Sequence, residues 1–258
     1  MQINFYKYQG TGNDFILIDN REKKLSFSET QIAFLCNRHF GIGADGLMLL
    51  ELEDGYDFKM VYYNSDGNES TMCGNGGRCI TAFAQQLGVI ENEATFLAID
   101  GSHHATINAA GLVCLEMTDV NQIDRKDDHV ILNTGSPHYI CWVEEVDSID
   151  VFESGRAIRS REQFQPKGIN VNFVQRLQDS IRVRTYERGV EDETLSCGTG
   201  VTAASIAFSE NKTGSFSVPI ETPGGKLEVS FDKNTEDAAI NVVLKGPALF
   251  VFEGTINL

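Results

Sequence analysis

The chain has 258 residues, 41% hydrophobic and 22% charged, the make-up of a soluble globular protein that can bury one large core or two smaller ones. Its net charge of −16 argues against a nucleic-acid binder, which needs a basic face, and against a helix lying on an anionic membrane. The start lacks a basic segment followed by an apolar run, and no stretch approaches the roughly 18 apolar residues of a membrane helix, so a cytoplasmic location is expected. The six cysteines are then expected to be reduced, and no C-x-x-C or other ligand pair suggests a metal.

In chain order, Gln31–Arg38 has a helical pattern and Leu47–Glu51 a strand pattern. Between them, Gly41-Ile42-Gly43-Ala44-Asp45-Gly46 fits G-x-G-x-x-G literally. A dinucleotide site needs a strand before that motif and a helix after it, the reverse of the order here, so no nucleotide site is expected. Phe58–Tyr63 alternates as a strand. After Met72-Cys73-Gly74-Asn75-Gly76 comes Cys79–Ala84, a small-residue run that predicts a buried helix. His103 and His104 fall in a turn-like stretch and His129 in a polar one, so all three are expected to be solvated. The polar stretch Thr118–His129 predicts a boundary between lobes 1–117 and 118–247, with 248–258 a candidate to join the first lobe's sheet. In the second half, Ile181–Tyr186 and Lys226–Phe231 alternate as strands, and Val201–Phe208 predicts a second buried helix after Cys197-Gly198-Thr199-Gly200.

The two halves repeat. Tyr63-Asn64 and Glu69 through Cys73-Gly74-Asn75-Gly76 match Tyr186-Glu187 and Glu193 through Cys197-Gly198-Thr199-Gly200 at an offset of 124 between the cysteines. Gly10–Phe15 lies opposite Gly135–Tyr139, Gly41-Ile42-Gly43 opposite Gly168-Ile169-Asn170, and Asp100-Gly101 opposite Pro223-Gly224-Gly225. A duplicated architecture is expected, with each cysteine at the N-terminus of a buried helix.

That placement is chemistry. A helix N-terminus carries unpaired N–H groups and partial positive charge, which favour a thiolate and bind a carboxylate. Duplication is expected to present one sulfur to each face of a substrate carbon, one removing a proton and the other returning one. A cysteine is more often a small buried hydrophobe. That bland reading is kept for Cys36, Cys79, Cys114 and Cys141 and reversed for the Gly-flanked Cys73 and Cys197.

At these residues the sequence resembles the diaminopimelate epimerase family. The pieces that carry the resemblance are Gly10–Phe15, Arg38–Gly46, Asn64-Ser65-Asp66-Gly67, Met72–Cys79, Glu187-Arg188-Gly189 and Ser196–Gly200. It implies an α/β (α+β) fold of two pseudo-symmetric lobes, each a curled, mostly antiparallel sheet around a central helix. It implies interconversion of LL- and meso-diaminopimelate in lysine and peptidoglycan precursor synthesis, with no cofactor or metal and in a homodimer. Catalysis would fall to Cys73 and Cys197. Substrate binding would fall to Asn13, Asn64, Gly74, Asn75, Asn170, Glu187, Arg188, Gly198 and Thr199, with His138 and Glu187 tuning the cysteines. Ser136 stands where the family commonly has Asn, and Gly46 where some members have a ligand-contacting Gln. The main alternative is a proline or hydroxyproline racemase-like isomerase of the same architecture; a dithiol redox protein is a more distant one.

Overall fold

The structure, a computed structural model, describes residues 2–258. The first part of the chain forms strands β1 (Gln2–Gly10) and β2 (Asn13–Asp19), helix α1 (Glu29–Cys36), strands β3 (Gly46–Glu51) and β4 (Phe58–Asn64), helix α2 (Gly74–Gln86), and strands β5 (Glu93–Ala98), β6 (Gly101–Ile107) and β7 (Leu112–Glu116). The second part forms β8 (Ile123–Arg125), β9 (His129–Asn133), β10 (Pro137–Val143), α3 (Val151–Arg159), β11 (Asn170–Arg176), β12 (Ile181–Glu187), β13 (Asp192–Thr194), α4 (Gly198–Phe208), β14 (Gly214–Thr222), β15 (Gly225–Lys233) and β16 (Ile240–Pro247). A last strand, β17 (Leu249–Asn257), pairs antiparallel with β1. The chain divides into two compact units, one running up to Leu115 and including Gly246–Leu258, the other Glu116–Lys245.

Each unit builds the same sheet from its own residues. In the first, β1–β2, β3–β4, β5–β6 and β6–β7 pair antiparallel, while β2–β3 and β4–β5 pair parallel. In the second, β9–β10, β11–β12 and β14–β15–β16 pair antiparallel, while β10–β11 and β12–β14 pair parallel. The fold is therefore mixed α/β and mostly antiparallel. Helix α2 touches β1 and β17 near one end of its sheet and β6 near the other, which requires that sheet to curl around it. Helix α4 likewise touches β9 to β12 and β14 to β15.

Burial explains the composition of these elements. Phe15–Ile18 and Leu47–Leu50 are buried on both faces. One face carries Ile16, Ile18, Leu47 and Leu49 against Ile32 and Leu35 of α1. In the second unit Val171 and Phe173 of β11 pack with Val151 and Ile158 of α3, while Val174 packs with Val201 and Ala204 of α4. A strand covered by helices on both faces has no polar side, so it loses strict alternation.

Three sequence expectations are corrected here. His103 and His104 are in strand β6, not in a turn, because Thr95–Phe96 and Leu115 pair on its two sides. His103 stacks on Phe96 at 5.4 Å and His129 on Tyr139 at 4.3 Å, so neither is simply solvated. Asn170 opens β11 as Gly46 opens β3, so the true counterpart of Asn170 is Gly46, three residues on from Gly43.

Candidate active site

Cys73 is the N-cap of α2, with extended backbone (φ −104°, ψ 146°) and its sulfur accepting from the Gly76 N–H at 3.2 Å. Gly76 is glycine for a steric reason. A Cβ there would lie 2.5 Å from Met48 Cε and 3.1 Å from the Cys73 sulfur. Asn75 is buried, and its amide is fixed from both sides: Nδ2 donates to Asn13 Oδ1 at 3.2 Å and Oδ1 accepts from Arg78 at 3.1 Å. Asn13 in turn donates to Asp45 at 2.6 Å, and Arg38 grips both Asp45 and Asp14 at 2.7 Å. Lys7 completes the chain of charges at 2.8 Å from Asp14. Burial acts to raise the Asp14 carboxyl, but hydrogen bonds from Arg38 and Lys7 prevail and hold it at about 2. Of the expected site residues in this unit, Asn13, Cys73, Gly74 and Asn75 are thus gathered at one helix end. Asn64 ends β4, where its N–H donates to the Asn68 carbonyl in the Gly67 turn. Gly46 leaves no room for a larger side chain, since a Cβ would meet the Tyr62 ring at 2.5 Å.

Cys197 is the N-cap of α4 (φ −114°, ψ 112°), buried, with its sulfur 3.5 Å from Thr199 Oγ1. Behind Thr199 stands a neutral relay. Thr199 Oγ1 lies 2.9 Å from His138 Nε2, and His138 Nδ1 lies 3.1 Å from Asn172 Nδ2. Asn172 Oδ1 accepts from the Thr185 hydroxyl at 2.9 Å, which turns the Asn172 NH2 toward the imidazole. Nδ1 is then the acceptor and Nε2 carries the hydrogen, which the Thr199 oxygen accepts. Burial, with the Arg188 charge adding to it, pushes His138 down to about 3, so the ring is neutral.

Asn170, Glu187 and Arg188 gather nearby. Asn170 Oδ1 accepts from the Arg188 N–H at 2.9 Å, and its Nδ2 donates to Ser136 Oγ at 2.8 Å. Arg188 reaches the same Ser136 oxygen at 3.2 Å and the Lys167 carbonyl at 3.4 Å. Ser136 therefore ties Asn170 to the guanidinium. Glu187 Oε2 accepts from Thr194 Oγ1 at 2.9 Å.

Sequence reasoning missed Arg78, Asp45, Arg38, Asp14, Asn172 and Thr185 as parts of these arrangements. Asn172 had a signal: it shares a strand face with Asn170 and Val174, a polar residue where period two calls for an apolar one. Among the described residues no three His, Cys, Asp or Glu side chains are grouped so as to hold a metal ion, and no helix is long and apolar enough to cross a membrane.

The family model described as diaminopimelate epimerase matches residues 5–123 and 130–251. A protein of Flavobacterium psychrophilum named diaminopimelate epimerase is 54% identical over 258 residues, covering 98% of this chain and 100% of its own. Among solved structures, a PhzF-family phenazine biosynthesis protein of Bacillus anthracis superposes with a TM-score of 0.79 at 15% identity, covering all of both chains. A hydroxyproline epimerase of Agrobacterium vitis, solved with trans-4-hydroxy-L-proline, gives 0.69 at 16%, covering 100% of this chain and 93% of its own. Likeness at such identities bears on the fold alone.

Proposed function

The chain belongs to the diaminopimelate epimerase family and is an isomerase, and from that premise we propose that it interconverts LL- and meso-diaminopimelate with Cys73 and Cys197 as its acid–base pair. The observation that carries the reading is that both cysteines cap the buried central helices of a repeated frame, each with glycine next to it at the positive end of its helix. Inversion at one carbon needs a base on one face and an acid on the other. A thiolate takes the α-proton, the electron pair moves into the carboxylate as an enediolate, and a thiol supplies a proton to the opposite face. The N–H groups at Gly74-Asn75 and Gly198-Thr199 are assigned to the reacting carboxylate, where negative charge grows.

Asn13, Asn64, Asn170, Glu187 and Arg188 are assigned to the rest of the substrate. Arg188 suits the distal carboxylate because its planar fork binds two oxygens at once. His138 is neutral, so it would tune Cys197 through the Thr199 hydroxyl rather than as a cation. We assign no metal or organic cofactor to the reaction. The product would feed lysine and peptidoglycan precursor synthesis in the cytoplasm. We further propose a homodimer. Its support is the row Leu249, Phe250, Val251 and Phe252 on β17, four consecutive large apolar residues that are each about half exposed.

The test is incubation with LL-diaminopimelate in deuterated water, followed by separation of isomers and NMR at the α-carbon. The meso isomer with α-deuterium is the expected product. Conversion of proline or hydroxyproline with diaminopimelate untouched would move the assignment to the racemase alternative.

A further inference from the structure

Two hairpin turns stand beside the segments that lead into the cysteines. Strands β5 and β6 close with Ala98 opposite Gly101, around Ile99-Asp100, and β14 and β15 close with Thr222 opposite Gly225, around Pro223-Gly224. Every one of these positions is shifted by the offset of 124 that separates Cys73 from Cys197. In the second unit the Gly224 N–H donates to the Leu195 carbonyl at 2.9 Å, two residues before Cys197. In the first unit Asp100, the counterpart of Gly224, accepts from the Met72 N–H through Oδ1 at 3.3 Å, one residue before Cys73. Each unit thus ties its turn to the run before its cysteine, the second through the backbone and the first through a side chain.

Met72 is held at its other end as well. Its thioether sits over Gly77 of α2, where a Cβ would meet the Met72 sulfur at 2.9 Å. Upstream the Ser70 N–H donates to the Tyr62 carbonyl, and downstream the Cys73 carbonyl accepts from the Gly77 N–H in the first turn of α2. The Met72 N–H lies between these anchors. Ordering a residue costs entropy, and a bond to a carboxylate, stronger than one to a neutral acceptor, offsets that cost. Asp100 is itself held. Its Oδ1 lies 3.2 Å from His103 Nε2, and because a carboxylate accepts, Nε2 carries the hydrogen. The His103 ring stacks on Phe96, which stacks on Phe58 at 4.9 Å. The Asp100 side chain is only 31% exposed, so water screens its bonds in part.

We propose that Asp100 is a positioning residue for Cys73: its carboxylate, supported by His103, holds the Met72 N–H and so fixes the backbone from which the Cys73 sulfur projects. The inference rests on the two-cysteine reading above. Asp100 acts through Met72 and takes no proton. A sulfur that must meet one face of one carbon tolerates little displacement, since about 1 Å of misplacement can cost on the order of 100-fold in rate. The capping bond from the Gly76 N–H to the Cys73 sulfur, at 3.2 Å, depends on the same stretch of backbone.

The experiment is steady-state epimerisation of LL-diaminopimelate by Asp100→Ala and Asp100→Asn, with thermal melts and backbone amide exchange of both. Alanine removes the acceptor, so kcat should fall about tenfold or more while KM stays within about threefold. The Met72 amide should then exchange about tenfold faster while the amides of β5 and β6 keep their rates. Asparagine keeps an oxygen where Oδ1 receives both Met72 and His103, so it should bring kcat back to within about threefold of wild type. An alanine variant with kcat within about threefold of wild type overturns the proposal. So does an asparagine variant that melts normally but is as slow as alanine, because the bond would then not be what counts. Faster exchange throughout β5 and β6 in the alanine variant would mean that the turn only supports the fold, and overturns it too. Should alanine fail to fold, the wild-type chain decides: a Met72 amide that exchanges like an unprotected one overturns the proposal. The underlying reading is judged separately. Epimerisation at the wild-type rate by Cys73→Ser would sink the two-cysteine mechanism. An inactive Cys73→Ser beside a fully active Asp100→Ala would sink the Asp100 proposal alone.

Discussion

At the start of α2 a buried cation and a chain of ion pairs stand behind Cys73; at the start of α4 two hydroxyls, an amide and a neutral imidazole on which the Arg188 charge acts stand behind Cys197. The backbone frame is the same in both units, down to the parallel and antiparallel order of the strands and the glycine three residues past each cysteine. The difference lies in side chains, Arg78 of α2 against Thr202 of α4 and those that neighbouring strands bring in. A duplicated frame would by itself give two equivalent thiols, and equivalent thiols have no reason to be one acid and one base at the same moment. Under the two-cysteine proposal, unlike surroundings on a common backbone would supply that reason.

The strongest test of the comparison removes one sulfur at a time. Cys73→Ser and Cys197→Ser should each lose epimerisation in both directions by about 10²–10⁴-fold or more, since inversion needs both groups. Each variant should retain slow exchange of the α-hydrogen of one isomer through the surviving cysteine, with opposite preferences. Deuterium uptake by separate LL and meso substrates measures this. One dead and one nearly normal variant would mean a single-base enzyme.

Next in size is Arg188→Lys. Lysine keeps the charge but cannot hold the Ser136 oxygen and a carboxylate with one planar group. The expected loss in kcat/KM is on the order of 2 kcal/mol, roughly thirtyfold, carried mainly by KM. Kinetics within threefold of wild type would make Arg188 peripheral.

A smaller effect contrasts the two helix starts directly. Alanine at 76 or at 200 gains helix propensity but adds a Cβ beside a cysteine. At 76 the closest atom is Met48 Cε, the free end of a flexible side chain; at 200 it is Asn172 Oδ1 at 2.4 Å, pinned by Thr185 and coupled to His138. Gly200→Ala should therefore cost about 1–3 kcal/mol of stability and most of the activity, while Gly76→Ala stays below that. Thermal melts and steady-state rates of the pair decide; equal costs would mean that the Asn172 relay yields as easily as a methionine.

These contrasts were only half legible in the sequence. The two cysteines, their helices and the repeat could be found because glycine spacing and small apolar runs are local signals. Strand Phe58–Tyr63 is observed as Phe58–Asn64 and Ile181–Tyr186 as Ile181–Glu187, one residue longer each. The wiring was out of reach. Arg78 to Thr11, Asn13 to Asp45 and His138 to Asn172 join residues more than 30 apart, and only helix packing in the first case and strand pairing in the others bring them together. Arg78 lies inside the Met72–Cys79 motif, but its sequence neighbours gave no hint that it would be buried without a carboxylate.

The finest test of the comparison is acid. His138 is held at about 3, whereas an exposed histidine titrates near 6.5. Between those values the unfolded chain binds a proton that the native ring refuses, so stability falls as pH falls, by up to about 1.4 kcal/mol per pH unit, and the loss ends near 3. Asp14 in the first unit behaves otherwise. Its native value of about 2 lies below the ordinary carboxylate value near 3.9, so its contribution is intact above that value and is lost only as pH falls from there toward 2. Acidification from neutrality to about pH 5.5 should thus weaken the second unit by about 1 kcal/mol through His138 while leaving the Asp14 contribution unchanged. Hydrogen exchange should show α4 and β10 losing protection before α2 and β1, and His138→Gln should flatten the trend. Parallel pH profiles for wild type and His138→Gln would mean that the imidazole takes its proton normally and that the relay behind Cys197 is not neutral.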